Sequence, residues 1–264
     1  MSDVLQIVGY GWLSVFIFMS ILWYIGKEIQ NYAIVDVGWT VSLVLICAVY
    51  FFLGNGWFER KLLILGMVGF WGIRLGGYLL FTRIIGGHGE DERYKAFRKD
   101  YGDSVDRKFF TNIFQFQGLL DVVLSIPYLL ICLNPEEGFQ TLEYVGLGIF
   151  VIAVLGEGLA DNQLHRFKKD PANKGKNCEV GLWNYSRHPN YFFEWLIWVS
   201  YFFVSLASPY GYLGIIPAIL MYVFLTKFTG IPMSEELALK KGEMYFVSTN
   251  VPQVHLFPGS KRNN

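Results

Sequence analysis

The sequence predicts an all-α, polytopic membrane protein built as a seven-transmembrane-helix bundle, and two observations predict it. Hydrophobic residues make up 53% of the 264 residues and charged residues only 17%, whereas about a quarter of a typical soluble domain is charged. Apolar stretches that approach the roughly 20 residues needed to cross a bilayer recur along the whole chain. We therefore interpret residues 1–264 as a single membrane domain.

The predicted spans, in chain order, are residues 4–26, 33–53, 62–82, 116–133, 142–163, 190–207 and 210–229. The first span differs from a signal peptide, because its apolar core is long, no basic segment precedes it and no small-residue cleavage site follows it. We expect it to be retained as a helix. The long polar segments between and after the spans are the loops 83–115 and 164–189 and the tail 230–264.

The distribution of Lys and Arg predicts the topology. The two long loops and the tail are rich in both residues, whereas the connections near 134–141 and 208–211 contain neither. By the positive-inside rule, the basic segments face the cytoplasm. Seven spans then place the N-terminus outside and the C-terminus in the cytoplasm, in what we expect to be a bacterial inner membrane. Arg60 and Lys61, in an external connection, are a mild conflict.

Charge and metal-ligand content exclude several classes of protein. The 22 basic and 22 acidic residues give a formal net charge of zero, which argues against a nucleic acid as partner. The three cysteines and four histidines are widely separated in the sequence. Neither a disulfide scaffold nor a metal site is therefore expected.

Ionisable side chains lie within the spans or at their edges: Asp36, Arg74, Asp121, Glu157, Asp161 and Glu194. Charges at membrane depth are costly, so each is a candidate for function. Glu157 and Asp161 are four residues apart and share a helix face. A buried pair of Arg74 with Asp36 or Asp161 is one explanation. For the whole set, a polar cavity that opens to the cytoplasm is the more economical one.

The segment 181–198 carries the most specific signal. Pro189 suits the first turn of a helix, where its missing N–H costs nothing. The positive end of that helix, together with Arg187 and His188, predicts an anion site. Other side chains of the segment suit a hydrogen-bonding, flat ligand: Asn190, Tyr185 and Tyr191. The alternative is a basic flank that anchors the helix at the lipid headgroups.

The run Ser-Arg-His-Pro-Asn-Tyr-Phe-Phe-Glu-Trp at 186–195 resembles the signature of the steroid 5-alpha-reductase-like membrane family, in particular its uncharacterised bacterial branch. Residues 156–168, 74–83 and 87–94 and the Asp36-Val-Gly-Trp motif resemble the same family. The resemblance implies a seven-helix bundle that encloses NADPH in a cytoplasm-facing cavity. It also implies cofactor contacts from Arg74, Arg83, Asp161, Lys168, Tyr185, Asn190, Glu194 and Lys227, with Arg187 and His188 in the same loop. We add Glu157 and Tyr191 to these cofactor-binding candidates.

The resemblance also implies two catalytic candidates. Steroid reductases of the family hold the substrate's 3-keto oxygen with a Gln-Glu pair and a Tyr; Asp36-Val37 and Trp71 occupy the corresponding positions here. Asp36, if burial keeps it protonated, would donate a hydrogen bond to the developing enolate oxygen. Trp71 offers an N–H donor. One carboxyl group in place of the pair argues against a steroid 3-oxo substrate.

Three functional hypotheses follow. The first is an NADPH-dependent membrane reductase of a conjugated C=C bond in a lipid-like or steroid-like enone, a hydrophobic small molecule that enters from the bilayer. The second is an S-adenosylmethionine-dependent membrane methyltransferase of the isoprenylcysteine carboxyl methyltransferase type, which shares Arg-His-Pro-x-Tyr. The third is a non-catalytic lipid-binding protein. Basic residues that suit the phosphates of NADPH favour the first: Arg74, Arg83, Lys168, Arg187 and Lys227.

Overall fold

The computed structural model describes residues 2–86, 89–174 and 176–240, which form helices and connecting loops without a β-strand. The helices are α1 (Ser2–Glu28), α2 (Ile34–Leu53), α3 (Phe58–Leu79), α4 (Glu92–Tyr101), α5 (Val105–Phe109), α6 (Phe116–Leu124), α7 (Ile126–Cys132), α8 (Thr141–Lys169), α9 (Pro189–Ser205), α10 (Ile215–Val223) and α11 (Ile231–Lys240). Short π-helical segments extend or join several of them: Leu80–Ile85, Phe110–Gln115 and Phe224–Phe228. The all-α class is confirmed over these residues. Most of the predicted tail lies outside them.

Among the described residues, five helical segments are long and apolar enough to cross a membrane: Asp3–Glu28, Ile34–Leu53, Phe58–Ile85, Thr141–Lys169 and Gly211–Glu236. Glu92–Leu124 and Ile126–Cys132, bent by 44° at their junction, form a sixth if they act as one span. The described residues therefore confirm a multi-pass membrane protein with five or six candidate spans. The predicted span 190–207 corresponds to α9, a helix of 17 residues, which is shorter than the roughly 20 residues that cross a bilayer.

The chain divides into two compact units, unit 1 (residues 1–140 and 205–213) and unit 2 (residues 141–204 and 214–264). Within unit 1, α2 packs against both α1 and α3. Glycines permit this close approach, because a Cβ at Gly76 of α3 would meet Thr40 of α2, and one at Gly38 of α2 would meet Leu22 of α1. α6 also approaches α1 closely, because a Cβ at Gly118 of α6 would meet Val15 of α1.

Arg60, in the first turn of α3, is fully buried. Its guanidinium donates hydrogen bonds to the backbone carbonyls of Glu136 and Gly138 and lies 5.5 Å from the centre of the Trp57 ring. Because carbonyl dipoles and an aromatic face stabilise a buried cation, the contact ties the start of α3 to the segment after α7.

Lys61, the next residue, binds the C-terminal end of α2. Its Nζ donates to the carbonyl oxygens of Phe51 at 3.0 Å and Gly54 at 2.9 Å. A cation at a helix C-terminus is stabilised by the unpaired carbonyls there. Both cations of the 54–61 connection therefore have partners inside the fold, and the helix begins earlier than the predicted residue 62.

Unit 2 is organised around α8 and α9. A Cβ at Gly156 of α8 would meet the ring of Phe193 on α9, so the glycine allows the two helices to approach closely. Trp183, in the turn before α9, donates its indole N–H to the carbonyl oxygen of Ala160 at 2.9 Å. Trp195 of α9 donates to the carbonyl of Ala218 on α10 at 3.0 Å. These bonds fix the start of α9 against its neighbours.

Candidate functional site

The predicted site residues fall into the two units. Unit 1 contains Asp36, Trp71, Arg74 and Arg83, whereas unit 2 contains Glu157, Asp161, Lys168, Tyr185, Arg187, His188, Asn190, Tyr191, Glu194 and Lys227. Each unit brings some of these side chains into a polar cluster.

The first cluster, which we call the Asp36 cluster, consists of Asp36, Arg83, Arg93 and Tyr94. Asp36 lies in the first turn of α2, Arg83 in the π-helical segment after α3, and the other two at the start of α4. The Asp36 Oδ2 atom contacts the guanidinium of Arg83 and accepts a hydrogen bond from Arg93 Nη2 at 3.0 Å. The Oδ1 atom accepts from the Tyr94 hydroxyl at 2.7 Å.

Asp91 positions Arg93 of α4. Its carboxylate caps the helix by accepting from the Arg93 backbone N–H, and it also accepts from the Arg93 Nε atom, both at 3.0 Å. Burial opposes ionisation of Asp91, but the hydrogen bonds and charge of Arg93 outweigh it, and the pKa of this carboxyl is lowered. Asp91 is therefore charged, and it holds the guanidinium of Arg93 in position to contact Asp36.

The contacts of Asp36 are those of an ionised acceptor. Its side chain is 15% exposed, and two guanidinium groups stabilise negative charge on it. The sequence-based hypothesis requires a neutral acid that donates a hydrogen bond. In the structure the carboxylate instead accepts from Arg83, Arg93 and Tyr94, so a catalytic role for Asp36 stays a prediction without support from its contacts.

Trp71, the second catalytic candidate, lies within the packing of α3. Its side chain is fully buried, and its ring meets the ring of Trp39 edge to face, with the centroids 5.6 Å apart. Such a pair is typical of a well-packed core. Contact with a substrate stays a prediction for Trp71. Arg74 lies one turn farther along α3 and is partly buried.

The second cluster, which we call the α9 cluster, consists of Arg187, His188, Asn190, Tyr191, Ser234 and Glu235. The helix begins at Pro189, as predicted. Both Arg187 Nη1 and His188 Nε2 lie 3.3 Å from the same atom, Oε1 of Glu235. His188 is buried and stacks on the ring of Tyr191, with centroids 5.4 Å apart.

Two further hydrogen bonds extend the α9 cluster. The Tyr191 hydroxyl pairs with the Ser234 hydroxyl at 2.7 Å, and the Asn190 amide donates to Asp161 Oδ1 at 3.2 Å. Burial is the main cause that lowers the pKa of His188, although Glu235 acts in the opposite direction. The imidazole is therefore easier to keep neutral than an exposed histidine.

The remaining candidates of unit 2 occupy two environments. Glu194 is buried and accepts from the Trp198 indole at 3.1 Å within α9, and Glu157 is buried on α8. Three candidates are exposed at the surface: Lys168, Tyr185 and Lys227. Of the basic candidates in unit 2, the structure brings Arg187 into a polar cluster at the start of α9 and leaves Lys168 and Lys227 exposed.

The sequence reasoning missed Glu235 and Ser234. Both lie on α11, in a tail that the sequence analysis interpreted as cytoplasmic surface. The available signal was Pro232 followed by the acidic pair Glu235 and Glu236, because a proline and acidic residues mark the first turns of a helix. Arg93 and Tyr94 were also missed, although they lie in the 87–94 motif.

Most of the chain matches one family of known sequences. The family model described as "Protein of unknown function (DUF1295)" matches residues 22–247. An uncharacterized protein of Schizosaccharomyces pombe is 28% identical over 226 residues, which cover 75% of this chain and 64% of the yeast protein. No solved structure matches the chain significantly.

Proposed function

We propose a function for this chain on the premise that it belongs to the DUF1295 family, described as proteins of unknown function. The chain is an NADPH-dependent membrane reductase that reduces a conjugated C=C bond of a lipid-like or steroid-like enone. It forms a seven-span bundle with a cytoplasm-facing cofactor cavity, with the N-terminus outside and the C-terminus in the cytoplasm of a bacterial inner membrane.

The observation that carries the proposal is the convergence of Arg187 and His188 on one carboxylate oxygen of Glu235. A phosphate oxygen has the same charge sign and accepts the same hydrogen bonds. The donors also lie at the positive end of α9, an environment that favours anions. These residues therefore fit a phosphate of NADPH, which would replace the Glu235 carboxylate as their acceptor.

The neighbouring pair suits the other groups of the cofactor. Asp161 accepts hydrogen bonds and Asn190 both donates and accepts them, so the pair matches a ribose hydroxyl or a carboxamide. Tyr191, already stacked on His188, offers an aromatic face. The resemblance of residues 186–195 to the steroid 5-alpha-reductase-like signature supports the same cofactor.

NADPH, when bound, supplies a hydride for the β carbon of the enone. The residues of this chain bind and orient. Arg187 and His188 hold negative charge at the start of α9, and Asp161 fixes a hydroxyl or amide group. Asp91 and Asp36 hold Arg93 of the Asp36 cluster in place, which keeps the start of α4 fixed to α2.

Titration of the purified protein with NADPH in detergent tests the proposal. Arg187→Ala removes a charge-assisted contact worth roughly 1.5–3 kcal/mol, so we expect affinity to fall about 10- to 100-fold with little change in melting temperature. Arg166→Ala, at an exposed position of α8, is the matched control and should bind as wild type does. Equal affinity in wild type and Arg187→Ala would remove this loop from the cofactor site.

One observation favours a second candidate, the S-adenosylmethionine-dependent methyltransferase. Glu235 places a negative charge beside the positive Arg187, and such a pair suits the ammonium and carboxylate of an amino-acid group. The same titration with S-adenosylmethionine separates the two functions. Saturable binding of S-adenosylmethionine without binding of NADPH would replace the reductase by the methyltransferase.

A further inference from the structure

Asp121 of α6 is a buried carboxyl group outside both clusters. Its side chain is completely shielded from solvent. Among the residues that the structure describes, neither of its carboxyl oxygens has a hydrogen-bond partner. An isolated buried carboxylate is one of the most costly groups in a protein and more so at membrane depth, so this residue requires a physical explanation.

The surroundings of Asp121 are the core between α1, α2 and α6. Gly118, one turn before it, faces Val15 and Met19 of α1. Ser125, one turn after it, hydrogen-bonds the Tyr50 hydroxyl of α2 at 3.2 Å. Asp121 therefore lies between two helix contacts that both face this core.

No cation is available to neutralise Asp121 from these helices. Over their described residues, α2, α6 and α7 contain no Lys or Arg, and α1 contains Lys27 in its last turn, where it pairs with Asp106 at 2.7 Å. The titratable groups of α2 and α7 in the buried core are two phenols and two thiols: Tyr50, Tyr128, Cys47 and Cys132. A bound proton is thus the simplest neutralising partner.

A line of polar side chains leads from Asp121 to the Asp36 cluster. Gln117 lies one helical turn before Asp121 on the same face of α6, and its buried amide oxygen has no hydrogen-bond partner among the described residues. The Gln117 side chain interacts with that of Tyr94, and the Tyr94 hydroxyl donates to Asp36 at 2.7 Å. The Asp36 carboxylate is 15% exposed.

We propose that Asp121 is an internal proton-binding site: its carboxyl group holds a proton in the α1–α2–α6 core and exchanges it along Gln117 and Tyr94. Tyr94 has a hydroxyl that passes protons, and the Gln117 amide keeps the intervening space polar. The site lies within unit 1 and stands independently of the NADPH proposal. Its ligand is the proton alone.

Infrared spectroscopy of the full chain in detergent tests the proposal, because a protonated carboxyl group absorbs apart from a carboxylate and shifts in D2O. We expect a protonated-acid band in the wild type at neutral pH, and its loss in Asp121→Asn. Isotope labelling of the aspartate carboxyl groups should shift the same band in the wild type, which identifies it as an aspartic acid band without any variant that needs to fold.

Exchange in D2O tests the route. The band should exchange several-fold more slowly in Gln117→Leu and in Tyr94→Phe. Gln115→Leu is the matched control, because Gln115 bonds Ser20 at 3.1 Å instead, and it should exchange at the wild-type rate. Equal exchange in all four proteins would overturn the route.

Two other outcomes would overturn the proton site itself. A wild-type spectrum without an aspartic-acid band would mean that Asp121 is ionised. A melting temperature that rises with Na+, compared with a bulky organic cation, in the wild type but not in Asp121→Asn would mean that the carboxylate holds a metal cation instead.

Discussion

Replacing Asp36 by Asn removes the negative charge on which Arg83 and Arg93 converge. The amide retains the shape of the carboxylate and an acceptor for Tyr94, but it leaves two guanidinium groups close together without their shared counter-ion. We therefore expect Asp36→Asn to destabilise the contact between α2 and the start of α4. This expectation is the opposite of that for a neutral catalytic acid, for which Asn is a mild structural change.

The magnitude follows from the exposure of the three side chains, which is 15% for Asp36, 30% for Arg83 and 18% for Arg93. Loss of one partner from a buried ion pair costs roughly 3–5 kcal/mol, and exposed pairs contribute about 0–1 kcal/mol. After a discount for solvent screening, we expect a loss of about 2 kcal/mol. At roughly 2–4 °C per kcal/mol for a chain of this size, the melting temperature falls by about 4–8 °C.

Thermal unfolding in detergent is the assay. Glu92→Gln is the matched control: it makes the same charge change in the exposed pair of Glu92 with Lys95, and it should melt within about 1–2 °C of wild type. In the double variant Asp36→Asn with Arg93→Leu, the loss should be smaller than the sum of the single losses. An Asp36→Asn protein that melts as wild type does, yet loses turnover of an enone selectively, would refute the ion-pair interpretation and restore the catalytic one.

Three further predictions concern pH, a buried cation and topology. Burial lowers the pKa of His188 below its ordinary 6.5. The unfolded chain therefore binds more protons than the folded chain as pH falls through 6.5, and the free energy of unfolding decreases there. Melting curves of His188→Gln should show a weaker decline in stability on the acid side, and an unchanged decline would exclude His188 as its source. Arg60→Met removes a fully buried guanidinium that donates hydrogen bonds to two backbone carbonyls and should cost about 1–3 kcal/mol, whereas the exposed neighbour change Glu59→Gln should melt as wild type does. Proteolysis of sealed inside-out vesicles should remove a C-terminal tag and spare an N-terminal one; the reverse pattern would overturn the proposed orientation.

The membrane fold was predictable because composition and apolar run length report directly on burial in lipid. Helix ends were less predictable. Residues 54–61 appeared to be a polar connection, yet α3 begins at Phe58, because carbonyl acceptors from elsewhere in the fold accommodate Arg60 and Lys61. The helix start at Pro189 was predicted correctly, since proline at the first turn is a local signal that tertiary contacts do not change.

The site was predictable only where it is local. Arg187 and His188 were identified from their position before α9, but their carboxylate partner, Glu235, lies 47 residues after His188, and no periodicity reports such a contact. Arg83 illustrates a second limit. It lies in the π-helical segment Leu80–Ile85, where a wider turn changes which face a side chain occupies compared with the α-helical repeat on which sequence patterns depend.

The buried Arg60 also constrains the order in which tertiary contacts of this protein form during synthesis. Its carbonyl acceptors are 76 and 78 residues farther along the chain. While α3 and the following segments emerge from the ribosome, the guanidinium lacks these acceptors, and the α2–α3 connection must keep water or lipid headgroups around it. Arrival of residues 136–138 then releases that solvation and fixes the start of α3. The first turn of α3 is therefore expected to become fixed only after α7 has been made.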